Sequence, residues 1–182
     1  MARNTLSRSM HDLGLSAWFG GTLANAVALN PAAAEASSAG ATGAVANKGW
    51  DRWTPVNAAA IGVHLAGSIG QLGGNSGRIA AQEGVASMAL VKTGLTVAAL
   101  GVTAYSRSLG KIVSDHGPVA AKSGTEPAAQ TPPEVAAAQK KLAALQWVVP
   151  ALTGALTVVS AFAGEQQRAS EQHTGIKQRL VG

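Results

Sequence analysis

The chain has 182 residues, 47% hydrophobic but only 4% aromatic and 13% charged, with 38 Ala beside 22 Gly. So apolar a chain is not intrinsically disordered, and its charge is about half the share of an ordinary soluble domain. There are 0 Cys, which excludes disulfides, thiolate metal sites and cysteine nucleophiles, and the net charge of +5 suits either nucleic acid or the flanks of membrane segments.

The position of the charges decides between those two. Residues 1–11 are polar and basic, with Arg3 and Arg8. Leu13–Ala34 then runs 22 residues without a charge. Arg3, Arg8 and the later Pro31-Ala32-Ala33-Ala34-Glu35-Ala36 also outline a secretory signal with an Ala-x-Ala cleavage site. The run is long for that, and Asn25, Asn30, Gly14, Gly20 and Gly21 suit a packed helix better. Proline ends this first helix at Asn30-Pro31.

Residues 31–49 are Ala/Ser/Gly-rich and read as a loop, with room for a short surface helix. Trp50, Asp51, Arg52 and Trp53 mark a membrane interface, because indole rings favour the headgroup layer. Thr54-Pro55 reads as an N-cap with proline at N1, opening a second helix inside the 25-residue uncharged run Trp53–Gly77. The glycine cluster at 73–77 makes a tight connection, so the second and third helices form an antiparallel hairpin. The third apolar stretch, Gly84–Ser106, is interrupted only by Lys92, and residues 107–131 read as a flexible loop. Thr131-Pro132-Pro133-Glu134 is a capping box for a fourth helix, whose run Leu142–Gly164 has 23 residues and no charge.

A membrane-crossing helix needs about 20 apolar residues. A soluble Ala-rich bundle would need charges on one face at every turn or so, and Leu142–Gly164 has none. The expected fold is therefore all-α: one domain over 1–165 with four transmembrane helices at about 12–30, 54–74, 85–106 and 136–165. The fourth helix would project beyond the bilayer, and 166–182 would be a polar tail. An even number of spans puts both termini on one side. The loops are balanced, six cations against seven, and the basic residues ahead of the first span favour the cytoplasm.

Polar residues form stripes inside the spans. Asn57, His64, Ser68 and Gln71 share one face, as do Lys92, Thr96 and Thr103, and Gln146, Thr153, Thr157 and Ser160. In lipid such stripes are expected to face one another, as interhelical glue or as a functional lining. Lys92 either snorkels or pairs with Asp12 or Glu165 at the same end, giving a candidate cluster of Asp12, His64, Lys92 and Glu165. No second histidine is expected at the depth of His64, so haem ligation is disfavoured. No phosphate loop, zinc-protease or serine-hydrolase motif is present, and no catalytic residue, metal or cofactor is expected. The cations are scattered through loops, so no nucleic-acid partner is expected, and the partners are the bilayer, further copies, or other membrane proteins.

The segment His11-Asp12-Leu13-Gly14-Leu15-Ser16-Ala17-Trp18-Phe19-Gly20-Gly21 resembles the first helix of small four-helix bacterial membrane proteins of unknown function. Trp50–Asn57 and Lys92–Thr96 are similar to later segments of an actinobacterial set of that kind, and the WFGG element resembles DoxX-like four-helix proteins. The resemblance implies a four-span protein of a bacterial plasma membrane, with no defined activity. Three function classes follow: a structural or accessory membrane component, a DoxX-like redox or quinone-interacting protein, and a small-solute carrier using the stripes.

Overall fold

Alanine and leucine are the strongest helix formers, and this chain uses them in nearly every segment. The structure, a computed structural model, describes residues 4–82 and 84–165, and the polar tail at 166–182 lies outside the described residues. Helix α1 is Thr5–Ala24, α2 is Ala39–Gly74, α3 is the short Ser76–Ala81, α4 is Val85–Asp115 and α5 is Pro133–Glu165. No strand occurs among the described residues, and the all-helical expectation stands.

The helix limits differ from those read in the sequence, for local reasons. The first helix does not stop at Asn30-Pro31 but passes through a π turn at Asn25–Leu29, an α turn at Asn30–Ala32 and a 3₁₀ turn at Ala33–Glu35. Proline clashes with the carbonyl four residues earlier, here Val27, and the wider π turn sits around that point. Thr54 does not cap α2. The cap is Ser38, whose Oγ accepts from Ala41 N at 3.2 Å, and Pro55 lies inside the helix. The segment 39–49, expected as a loop, is helical because it is alanine-rich and because Thr42, Gly43 and Ala46 are buried against the rest of the chain. Likewise α4 continues to Asp115, well past Ser106.

Four long helices run alternately up and down. α1 packs along α2, α4 packs along α5, and α1 against α5 joins the two pairs. α2 and α4 touch only briefly, which leaves a cleft between them. Trp18, Ala99 and Val149 form a core at mid-height, with Ile61, Leu100, Val102 and Leu152 around it. A second cluster of Leu109, Val113, Val119, Val135 and Ala138 lies toward one end.

At that end the segment 116–132, expected to be flexible, is instead fastened down. Ala121 N donates to Ala39 O at 3.0 Å, Gly124 N to Asn30 O at 3.1 Å, and Asn47 Nδ2 to Gly117 O at 3.3 Å. Thr131 Oγ1 donates to Ala120 O. The ion pairs Lys111–Asp115 and Lys122–Glu126 lie at this end too, and His116 Nε2 stands 3.8 Å from Glu134 Oε2.

Among the described residues two helices are long and apolar enough to cross a membrane. They are α4 and α5, each with a mean hydropathy of 1.7 over its most apolar window. Only 11% of that window is buried in α4 and 22% in α5. Leu90, Val97, Val158 and Phe162 are each more than half exposed. A core helix of a soluble protein would be mostly buried, so these faces point to association with a membrane.

Candidate functional site

The close approach of α1 and α2 is set by glycine. A Cβ on Gly14 would stand 2.5 Å from His64 N, and one on Gly67 would stand 2.7 Å from His11 Cα. Each glycine therefore seats the backbone of the other helix's histidine. The contact lets His64 Nδ1–H donate to the carbonyl of His11 at 3.2 Å. The two imidazole centroids lie 4.5 Å apart at 50°, and the Trp18 ring stands 6.1 Å from His64. His11 is 1% exposed and His64 0%.

His11 Nδ1–H donates to Asp12 Oδ1 at 2.7 Å. A carboxylate and a carbonyl are both acceptors, so both histidines carry their proton on Nδ1. Ser68 Oγ lies 3.5 Å from His64 Nε2 but donates to the His64 carbonyl at 2.8 Å. His11 Nε2 is buried without a partner.

The expectation that no histidine shares the depth of His64 is corrected: His11 does. Sequence reasoning placed His11 at a boundary and missed the pair. A signal existed in the repeated spacing His11-x-x-Gly14 and His64-x-x-Gly67. On antiparallel helices that spacing makes the two contacts reciprocal. The rings are in mutual contact and are not disposed as opposed axial ligands of one haem. Among the described residues no group of three His, Asp or Glu is placed to hold a metal ion.

Lys92 lies beside this pair. It lines a cavity of about 260 Å³ with His11, Ser68, Gln71 and Thr96, and a second of about 320 Å³ with Asp12, Thr157 and Ser160. The structure thus gathers Asp12, His64 and Lys92 at one end of the bundle. Glu165 ends α5 at the same end but is not among the residues lining either cavity. Arg8 and Arg78 also stand there, and burial together with the Arg8 charge holds the Arg78 guanidinium below its ordinary pKa.

Four stripe hydroxyls, those of Ser68, Thr96, Thr153 and Thr157, close on their own helices, whereas Asn57 Oδ1, Gln71 Nε2, Thr103 Oγ1 and Ser160 Oγ are buried without a hydrogen-bond partner. Thr96 Oγ1 donates to Lys92 O at 2.9 Å, Thr153 to Val149 O at 2.8 Å and Thr157 to Thr153 O at 2.9 Å. Such back-bonding satisfies a hydroxyl without a neighbouring helix. Asn57 and Thr103 line a third cavity of about 210 Å³, near the opposite end, together with Trp50, Trp53 and Gln146.

Gln146, like His64, is a stripe residue that does reach across. Asn30 Nδ2 donates to Gln146 Oε1 at 2.8 Å, and Asn30 Oδ1 accepts from Trp50 Nε1 at 3.0 Å. Asn30 is 2% exposed and fastens the end of the first helix to both α2 and α5. Its role as a cross-link is hidden in the sequence, where it reads as one of the residues that suit a packed helix and as the residue before a proline.

No family model, no curated protein and no solved structure matches the chain.

Proposed function

We propose that the chain is a small integral membrane protein of structural or accessory type, a scaffold or complex subunit. In this reading all four long helices cross a bacterial plasma membrane, and both termini lie on the cytoplasmic side. The observation that carries it is the outward apolar face of α4 and α5. These helices expose large side chains over most of their length, including Trp147 at 50% and Phe162 at 60%. Such a face is stable only against lipid or partner helices.

Two further features support the reading. The α1–α2 contact is rigid, because glycine leaves the backbones no slack. Four of the six stripe hydroxyls, all but those of Thr103 and Ser160, are satisfied within their own helices, which favours a packed body over a continuous polar path for a solute. Lengths agree as well. At 1.5 Å per residue α4 and α5 are each about 45–50 Å long, against about 30 Å of hydrocarbon, so their ends form a layer outside the bilayer.

Alkaline carbonate extraction tests the membrane assignment, and the expected result is that the chain stays in the pellet. Native mass spectrometry of a gently solubilised sample tests the accessory role. A second copy or a distinct partner bound in fixed stoichiometry is expected. Release into the carbonate supernatant overturns the first point, and a monomer without partners under several mild detergents overturns the second.

A further inference from the structure

The cavities at the Lys92 end share one wall, formed by Gln71, Lys92 and Ala163. The 260 Å³ cavity is mainly apolar, with Leu65, Ile69, Leu72, Met88, Val97 and Leu100 along its sides, and His11, Ser68, Asn75, Thr93 and Thr96 add neutral polar groups. Its charged lining residues, among those described, are Lys92 and Arg78, with no carboxylate. The Arg78 guanidinium already donates to Gln82 Oε1 at 2.9 Å and Asn75 Oδ1 at 3.3 Å, so it adds field rather than a contact.

Lys92 is in a different position. Among the described residues no ion pair includes it. Asp12 lines the neighbouring cavity together with Lys92, but makes no ion pair with it, and its Oδ1 accepts from His11. Beside the lysine, Gln71 Nε2 and Ser160 Oγ are buried without hydrogen-bond partners. A lysine and an amide donor lacking acceptors, set midway along a slot that α4 lines from Val85 to Leu100, are complementary to a group that only accepts and carries negative charge.

The slot also has a side entrance. α2 and α4 form its two walls and scarcely touch. Its volume of about 260 Å³ is below the ~300–1,000 Å³ of pockets that hold drug-sized molecules, which suits a single chain better than a bulky ring system. From Lys92 to Leu100 the α4 wall runs about 12 Å.

We propose that this cavity binds one acyl chain of an anionic amphiphile. The carboxylate or phosphate head sits at Lys92 and Gln71, and the chain lies along α4 toward Leu100. The head and tail belong either to a free fatty acid or to an anionic phospholipid. Entry between α2 and α4 from the lipid phase rests on the bilayer reading above, whereas occupancy of the cavity does not. A chain that carbonate releases, yet binds fatty acid through Lys92, loses that reading and keeps this one.

The test uses the full chain in neutral detergent, with hexadecanoate and uncharged hexadecanol competing for a fluorescent fatty acid. Hexadecanoate is expected to bind about tenfold more tightly than hexadecanol, and Lys92→Met to remove that preference while Lys92→Arg keeps it. Val97→Trp, which fills the slot on the α4 wall between Lys92 and Leu100 and leaves the lysine in place, is expected to abolish binding of both. Because Val97→Trp and the wild-type preference do not depend on Lys92→Met folding, they decide the matter if that variant is unstable. Equal binding of acid and alcohol, or unchanged hexadecanoate binding in a folded Lys92→Met, overturns the proposal. The source is read by native mass spectrometry from vesicles of phosphatidylglycerol and phosphatidylcholine. Retained phosphatidylglycerol assigns the phospholipid. Hexadecanoate binding that phosphatidylglycerol does not displace assigns the free acid.

Discussion

Asn30 uses both ends of its side-chain amide and its main-chain carbonyl, joining α2, α5 and the 116–132 segment. Asn30→Ala removes two side-chain bonds and leaves Trp50 Nε1 and Gln146 Oε1 unpaired in a largely dry site. The expected loss is about 2–3 kcal/mol, measured by denaturant or thermal unfolding in detergent. Asn30→Asp keeps the acceptor for Trp50 but sets a carboxylate against Gln146 Oε1, and the same measurement is expected to show it no more stable than Asn30→Ala. Neither Asn30 nor His11 announces its role in the sequence. Both are short polar residues at the edge of an apolar run, and such a residue means solvent at a helix end or a partner inside a bundle. The difference lies in the neighbouring helix, which no local pattern contains. His64 is legible because an imidazole in mid-span has no solvent reading, whereas Lys92 stands out by its charge but keeps a snorkelling reading beside the paired one.

At the scale of elements, glycine divides into two kinds. Gly14 and Gly67 face backbone at contact distance, whereas Gly62, Gly94 and Gly101 face open space. Gly67→Ala is expected to force α1 and α2 apart and cost about 1–3 kcal/mol. Gly62→Ala and Gly94→Ala are expected to be neutral or to stabilise by up to about 1 kcal/mol, since alanine loses less entropy in a helix. Thermal melts of the three variants side by side check the contrast. Composition showed that helix packing uses small residues, but not which glycines do it. Hydropathy located α4 and α5 well, because an uncharged apolar run has one stable reading at that length. It failed for the first 15 residues of α2, where weak periodicity and Pro55 suggested a loop. Burial of Thr42, Gly43 and Ala46 overrode both signals.

For the whole molecule, the arrangement of charge predicts a sided accessibility. The chain has no cysteine, so single-cysteine variants report cleanly. Val97→Cys and Val158→Cys, on the exposed apolar faces, are expected to stay unmodified by a membrane-impermeant maleimide in sealed vesicles and to react once the protein is denatured. Lys122→Cys, at the fastened end, is expected to react from one side of the membrane. Labelling of Val97→Cys in intact vesicles would argue for a water-exposed α4.

The segment 116–132 ties the first helical pair to the second at one end, through Asn30, Ala39 and Asn47. At the other end α1 and α5 remain in contact while the α2 and α4 walls stand apart around Lys92. The core of Trp18, Ala99 and Val149 joins the same two pairs again at mid-height, so they are held at the fastened end and at the middle. The gap between α2 and α4 is therefore a standing notch, and in the proposed bilayer surrounding lipid would meet it without displacing a helix.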